Sequence, residues 1–186
     1  MQQTDTEQTM PFDGLNIADI SGTVATSYAC KLFADYGATV TNVEPAQGFP
    51  TRQLKPRLPK AEGGETLSAM HGYLHCNKAS VVGNHNDLTA EPAVTQADLI
   101  VYDPATLPST DSLAGISTNT CAISWFGLTG PYAQYQGSDG VIQALTGLMK
   151  GIGEEDGPPI IPNGVQAQIV GGLSAFNGAL GHLLGQ

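Results

Sequence analysis

Residues 15–44, LNIADISGTVATSYACKLFADYGATVTNVE, leave few folds open to the chain that carries them. The segment LNIADIS alternates apolar and polar positions, as a half-buried strand does. Ser21 and Thr23 can then cap a helix. Val24, Tyr28, Leu32 and Tyr36, with Ala25, Ala29 and Phe33, supply that helix with an apolar face. Gly37 fits its end, where positive φ is often needed. ATVTNVE follows as a second strand. This is a β-α-β unit about 30 residues long.

The rest of the chain repeats the alternation. Pro50, Pro56 and Pro59 set a loop, after which the pattern predicts a short helix over 66–75 and strands over 79–83, 98–102 and 119–125. Helical spacing returns over 139–150 and from about 165 to the end, the last helix placing Ile169, Leu173, Phe176, Leu180 and Leu183 on one stripe. This order predicts an α/β fold: a Rossmann-like, mostly parallel sheet with helices on both faces, formed by residues 11–186. Residues 1–10 read as a disordered tail. Ligands of such sheets bind beyond the C-terminal strand ends, a rim that here includes Ser21, Gly22, Thr23, Glu44, Tyr102 and Asp103.

Charge narrows the partners. Seven Lys and Arg against seventeen Asp and Glu give a net charge of −10, which argues against nucleic acid and anionic membranes. Arg52, Lys55, Arg57 and Lys60 nevertheless cluster, either as a solvated loop or as an anchor for a small phosphate-bearing ligand. Three distant cysteines, Cys30, Cys76 and Cys121, suggest no disulfide framework and a cytoplasmic setting. The last apolar run carries Ser174, Asn177 and His182 and reads as a buried helix rather than a membrane span.

Signals for chemistry are sparse. The first βα turn lacks the GxGxxG fingerprint, but Glu44 ends the second strand, where an acid often holds a ribose. His71 and His75 share a helical spacing without a third ligand, so a packed pair is expected rather than a metal. The loop SWFGLTGPYAQYQGSDG follows a strand and carries four aromatic residues, as functional loops over α/β sheets do.

Together these segments resemble the class III CoA-transferases, the group of formyl-CoA transferase, carnitine CoA-transferase and α-methylacyl-CoA racemase. The similar stretches are PFDGLNIADIS, YACKLFADYGATVTNVEPAQGFPTR, the Asn77-Lys78-Ser80 segment, ADLIVYD, and AISWFGLTGPYAQYQGSDGVIQALTGLM followed by GEEDGPP. The resemblance runs from Pro11 to Leu184 and covers the N-terminal half of such proteins, so the chain looks like a fragment or a short gene product. It implies binding of coenzyme A or acyl-CoA at Gly22, Thr23, Val24, Glu44, Arg52, Lys78, Tyr102, Asp103 and Asp139. It also implies CoA transfer between an acyl-CoA and a carboxylic acid through an aspartyl nucleophile, without a metal. Pairing with a second half, or self-association, is the implied assembly.

Departures from the family pattern are equally specific. Its nucleophilic aspartate stands four residues before a glycine; counting back from Gly172 gives Gln168. A neutral carboxamide does not replace a carboxylate nucleophile. Ala79 stands where the family has an arginine, DPATLP lacks another, and Ser138 precedes Asp139 where the racemases have histidine. The expectation is a domain with impaired catalysis, or a non-catalytic nucleotide-binding or partner-pairing domain of a split or tandem enzyme.

Overall fold

The computed structural model describes residues 9–59, 66–152 and 154–185. The expected tail therefore lies largely outside the described residues, as does Lys60. Five strands form one sheet: β1 (Asn16–Asp19), β2 (Thr39–Glu44), β3 (Ala79–Val82), β4 (Leu99–Tyr102) and β5 (Asn119–Ala122). Their order is β3-β2-β1-β4-β5, and every pairing is parallel. The chain reverses its direction of growth between β1 and β4, which opens a crevice at their C-terminal ends.

Alternation along the strands divides the core. Ile17, Val40, Leu99 and Val101 point to the face covered by α1 (Val24–Asp35) and α5 (Gln166–Leu184), with Phe33 and Phe176 between them. Ala18, Ile20, Val43 and Ile100 point to the other face, under Leu88 and Val94. Val94 belongs to α3 (Pro92–Thr95), a single turn with proline at its start. That turn is too short for a 3.6-residue pattern to announce it in the sequence.

Several details differ from the sequence pattern for local reasons. Helix α4 (Asp139–Leu145) stops early because Gly147 takes φ 76°, and the chain continues as a 3-10 turn over Leu148–Gly151. Strand β5 ends at Ala122, short of Trp125, where the aromatic loop leaves the sheet. Helix α5 packs Phe176, Leu180 and Leu183 of the expected stripe on the core, but Leu173 is 44% exposed, and Gly172, Ala175 and Ala179 face inward beside them. Gly172 causes this. A Cβ there would lie 2.5 Å from the Ala25 carbonyl oxygen, so α5 meets α1 backbone to side-chain-free backbone. Helix α2 (Ala69–His75) packs against α1 and the turn Pro50–Gln53, capped by the Ser68 hydroxyl, which accepts from the His71 N–H.

Candidate functional site

The crevice between β1 and β4 is shaped by Asp19, the fully buried last residue of β1. Its Oδ1 accepts the N–H groups of Ser21 and Gly22, at 3.1 and 3.0 Å, and its Oδ2 accepts the Ser27 hydroxyl. This folds the first βα turn tightly. Gly22 takes φ 60° and lies so close to Phe49 that a Cβ would fall 2.0 Å from the ring. The Thr23 hydroxyl then caps α1 by accepting from the Thr26 N–H. Across the crevice, the Asp103 N–H donates to the Ser21 hydroxyl at 2.8 Å, which ties the two strand ends together.

A cleft of about 240 Å³ opens above this junction. Thr23, Ala25, Asp103, Ser124, Trp125, Ile142, Gln168, Gly171 and Ser174 are among its walls. Asp103, Ser124 and Trp125 also line a neighbouring cavity of about 550 Å³, under Tyr102, Phe126 and Tyr135. The two therefore form one branched site, whose outer arm carries Tyr102, Trp125, Phe126 and Tyr135. Phe126 and Tyr135 of that arm cluster with Tyr132, their ring centroids 5.3 to 6.4 Å apart.

Gln168 sits on the first turn of α5 beside the inner cleft. Its Nε2 donates to Asp139 Oδ2 at 2.7 Å. Asp139 Oδ1 accepts the N–H groups of Ala167 and Gln168, at 2.8 and 3.3 Å. Asp139, itself at the head of α4, thus caps α5 from another element, and satisfies donors that the local Ncap residue, Val165, leaves free. Gln166, two residues earlier, is exposed and donates only to the Asn163 carbonyl.

Asp103, unlike Asp139, is a carboxyl group that lines the cleft itself. Burial pushes it above the usual carboxylate range, and the Ala105 N–H partly opposes the shift. A carboxyl group so placed is readily neutralised when a second negative charge approaches.

The structure gathers Thr23, Tyr102, Asp103, Asp139 and Gln168 around this site. It places the other sequence candidates elsewhere. Gly22 faces Phe49, and Val24 is 4% exposed in the core. The Lys78 ammonium donates to the Ser27 carbonyl at 2.7 Å, and burial pulls it below the usual lysine range. Glu44 and Arg52 bind each other. Arg52 donates from Nε and Nη2, both at 2.6 Å, and the Ser80 hydroxyl and the Phe49 N–H complete the carboxylate's set. Burial raises Glu44, but Arg52, then Ser80 and Phe49, outweigh it and hold the group at about 2.

His71 and His75 stack with centroids 4.2 Å apart, and the Thr51 hydroxyl lies 2.9 Å from His71 Nδ1 and 3.0 Å from His75 Nε2. Burial drives His75 down to about 2, so it is neutral. Among the described residues no group of three or more His, Cys, Asp or Glu side chains could hold a metal ion. No described helix is long and apolar enough to cross a membrane.

Ser124 opens the aromatic loop that the sequence singles out, whereas Ile142 and Ser174 carry no signal of their own. Sequence reasoning missed Asp19, whose signal was available: an acid three residues before a glycine at a strand end.

Comparison with known proteins finds relatives over most of the chain. The family model described as CoA-transferase family III matches residues 12–97 and 120–186. The chain is 30% identical over 197 residues to a succinate–glutarate CoA-transferase of Agrobacterium fabrum, covering 94% of this chain and 48% of that protein. It is 29% identical over 195 residues to a succinyl-CoA:glutarate CoA-transferase of Mus musculus, covering 98% and 44%. Among solved structures, a CAIB/BAIF family protein from Brucella suis superimposes with a TM-score of 0.82 at 27% identity, covering 95% of this chain and 50% of that one. The chain thus spans about half the length of the curated relatives it matches.

Proposed function

The chain belongs to CoA-transferase family III, and from that premise we propose that its branched cleft binds coenzyme A or an acyl-CoA without the nucleophile that transfer requires. In this reading Thr23, Tyr102, Asp103 and Asp139 contact the thioester-bearing ligand or hold the groups that do. The aromatic arm under Trp125, Phe126 and Tyr135 takes an apolar or planar portion. The complete reaction would pass CoA between an acyl-CoA and a carboxylic acid. It requires a side-chain carboxylate to form first a mixed anhydride and then a thioester.

The observation that carries the reading is the amide at position 168. Gln168 lines the inner cleft, where the family pattern has aspartate, and its nitrogen is bound to Asp139 at 2.7 Å. A carboxamide so held can donate and accept hydrogen bonds but cannot form an anhydride. The test is hydroxylamine trapping after incubation with an acyl-CoA. The native chain should yield no trapped acyl group while still binding coenzyme A by calorimetry. Trapping on the native chain would refute impaired catalysis; absence of any binding would refute the ligand.

A second reading, pairing with another half, is supported by the surface. Val141, Leu145, Leu148, Ile161, Val170 and Leu173 are large, apolar and exposed on the α4–α5 side. Such a concentration supports a face suited to another polypeptide. Sedimentation of the chain alone, and with the C-terminal half of a relative, would test it. A monomer that captures no such half contradicts this reading.

A further inference from the structure

Away from the branched cleft, the loop after β2 and the start of α2 enclose a polar cavity of about 350 Å³. Its walls include Arg52, Gln53, Arg57, Ser68 and His71, and none of its lining residues is shared with the cleft beside Gln168. The walls are held by backbone pairing: the Leu58 N–H donates to the Leu67 carbonyl, the Ala69 N–H to the Pro56 carbonyl, and Arg57 bridges Ser68. Donors predominate. Arg52 uses one edge of its guanidinium on Glu44 and retains Nη1. Arg57 donates only to the neutral oxygens of Gln53 and Thr66, and has no carboxylate partner among the described residues. His71 also lines the cavity, with its Nδ1 engaged by Thr51.

Two guanidinium groups on one concave surface are notable in a chain of net charge −10. Arginine forks match carboxylate and phosphate oxygens with paired hydrogen bonds, and a concave wall limits competition from water. We infer that this cavity is a binding site for a small oxyanion, a carboxylate or a phosphate group, with Arg57 as its principal ligand-binding residue. The ligand enters beside Gln53 and Leu67, pairs with the Arg57 fork, and takes a further donor from Arg52. This site does not depend on coenzyme A occupying the other cleft.

Nitrogen-15 correlation spectra of the full chain, titrated at fixed ionic strength with sodium succinate or inorganic phosphate, test the assignment. Either anion should shift the amides of Gln53, Arg57 and Leu67 saturably and leave Trp125 and Gln168 unmoved. Tighter succinate binding identifies a carboxylate ligand, and tighter phosphate binding a phosphate ester. Arg57→Gln should weaken binding by roughly tenfold or more with the spectrum otherwise intact, and Arg57→Lys should recover part of the loss. No saturable shift with either anion, or native affinity in Arg57→Gln, would overturn the site. Because the monitored residues differ, coenzyme A binding at the cleft can fail or succeed without bearing on this result.

Discussion

The Gln168 amide nitrogen lies 2.7 Å from Asp139 Oδ2, and the other oxygen of the same carboxylate caps the helix that carries Gln168. One acid therefore orients the cleft amide and completes the start of α5. Removing it should be felt in stability first. Asp139→Ala leaves two helix N–H groups and one amide without their acceptor, at a cost of about 1–2 kcal/mol. Urea denaturation measures this, and Asp139→Asn should recover part of the loss. An unchanged midpoint in Asp139→Ala would contradict the capping role.

Restoring a carboxylate at position 168 sets two acids side by side. Like charges at that spacing raise the proton affinity of the pair in the folded state. The sign follows: a folded-state value raised above the unfolded one makes stability fall as pH rises. Gln168→Glu should be less stable than the native chain at pH 7 and approach it near pH 5. Gln168→Asp is one methylene shorter and should carry a smaller penalty. It should also gain acyl trapping by hydroxylamine if the remainder of the cleft is competent. Parallel pH–stability curves for Gln168→Glu and native chain would refute the coupling.

Acid sensitivity should begin at the histidine pair. Position 75 keeps its proton off down to about 2 when folded, against an ordinary 6.5, chiefly through burial, and His71 is lowered for the same first reason. The unfolded chain then binds more protons below 6.5, so stability is lost as pH falls. Each such group contributes up to about 1.4 kcal/mol per pH unit. Glu44 adds to the loss as pH falls below its ordinary 4.5 toward 2. His75→Phe keeps a ring beside Phe49 and His71 and should flatten the curve between pH 6.5 and 5. A native-like slope in that variant would exclude His75 as the cause.

Arg52 holds a carboxylate that is 3% exposed, while its own side chain is 42% exposed. Arg52→Ala strands the Glu44 charge on Ser80 and the Phe49 N–H. The cost should be roughly 1–3 kcal/mol, below that of breaking a fully buried pair, because half of Arg52 is already in water. Thermal denaturation at pH 7 reads the effect. Glu44→Gln in the Arg52→Ala background should recover part of it, and failure to do so would argue against a stranded charge.

Gly172→Ala tests the helix contact. The added methyl meets the Ala25 carbonyl at 2.5 Å, with Tyr28 Cβ at 3.1 Å. Backbone cannot step aside as a side-chain tip can, so α5 must shift, at about 1–3 kcal/mol. Gly178→Ala, where nothing lies within 4 Å, is the matched control and should be neutral or stabilising. Equal stability of the two variants would show that α1 and α5 are not in such close contact.

Much of the fold was legible in particular residues. Thr23 caps α1 as its position suggested, Gly37 has positive φ, and β2 and β4 fall within a residue of their apolar patterns. These features depend on neighbours in the chain: period-two or period-3.6 apolarity, a hydroxyl before a helix, a glycine after it. The burial of Gly172 in place of Leu173 on α5 was not legible, because both suit an apolar stripe. Which of them faces α1 depends on how closely two backbones can approach.

The candidate site divides in the same way. The sequence by itself determined that position 168 holds an amide, and that an amide lacks the charge and lone-pair basicity of a nucleophilic carboxylate. Only the tertiary structure decided that Asp139, 29 residues away, would hold that amide. It likewise decided that Asp103 would share its cleft, and that Glu44 would bind Arg52 instead of facing that cleft. The reason is physical. Backbone propensities and apolar periods are fixed over a few residues, whereas a polar side chain takes whichever partner the packing of distant elements brings within about 3 Å.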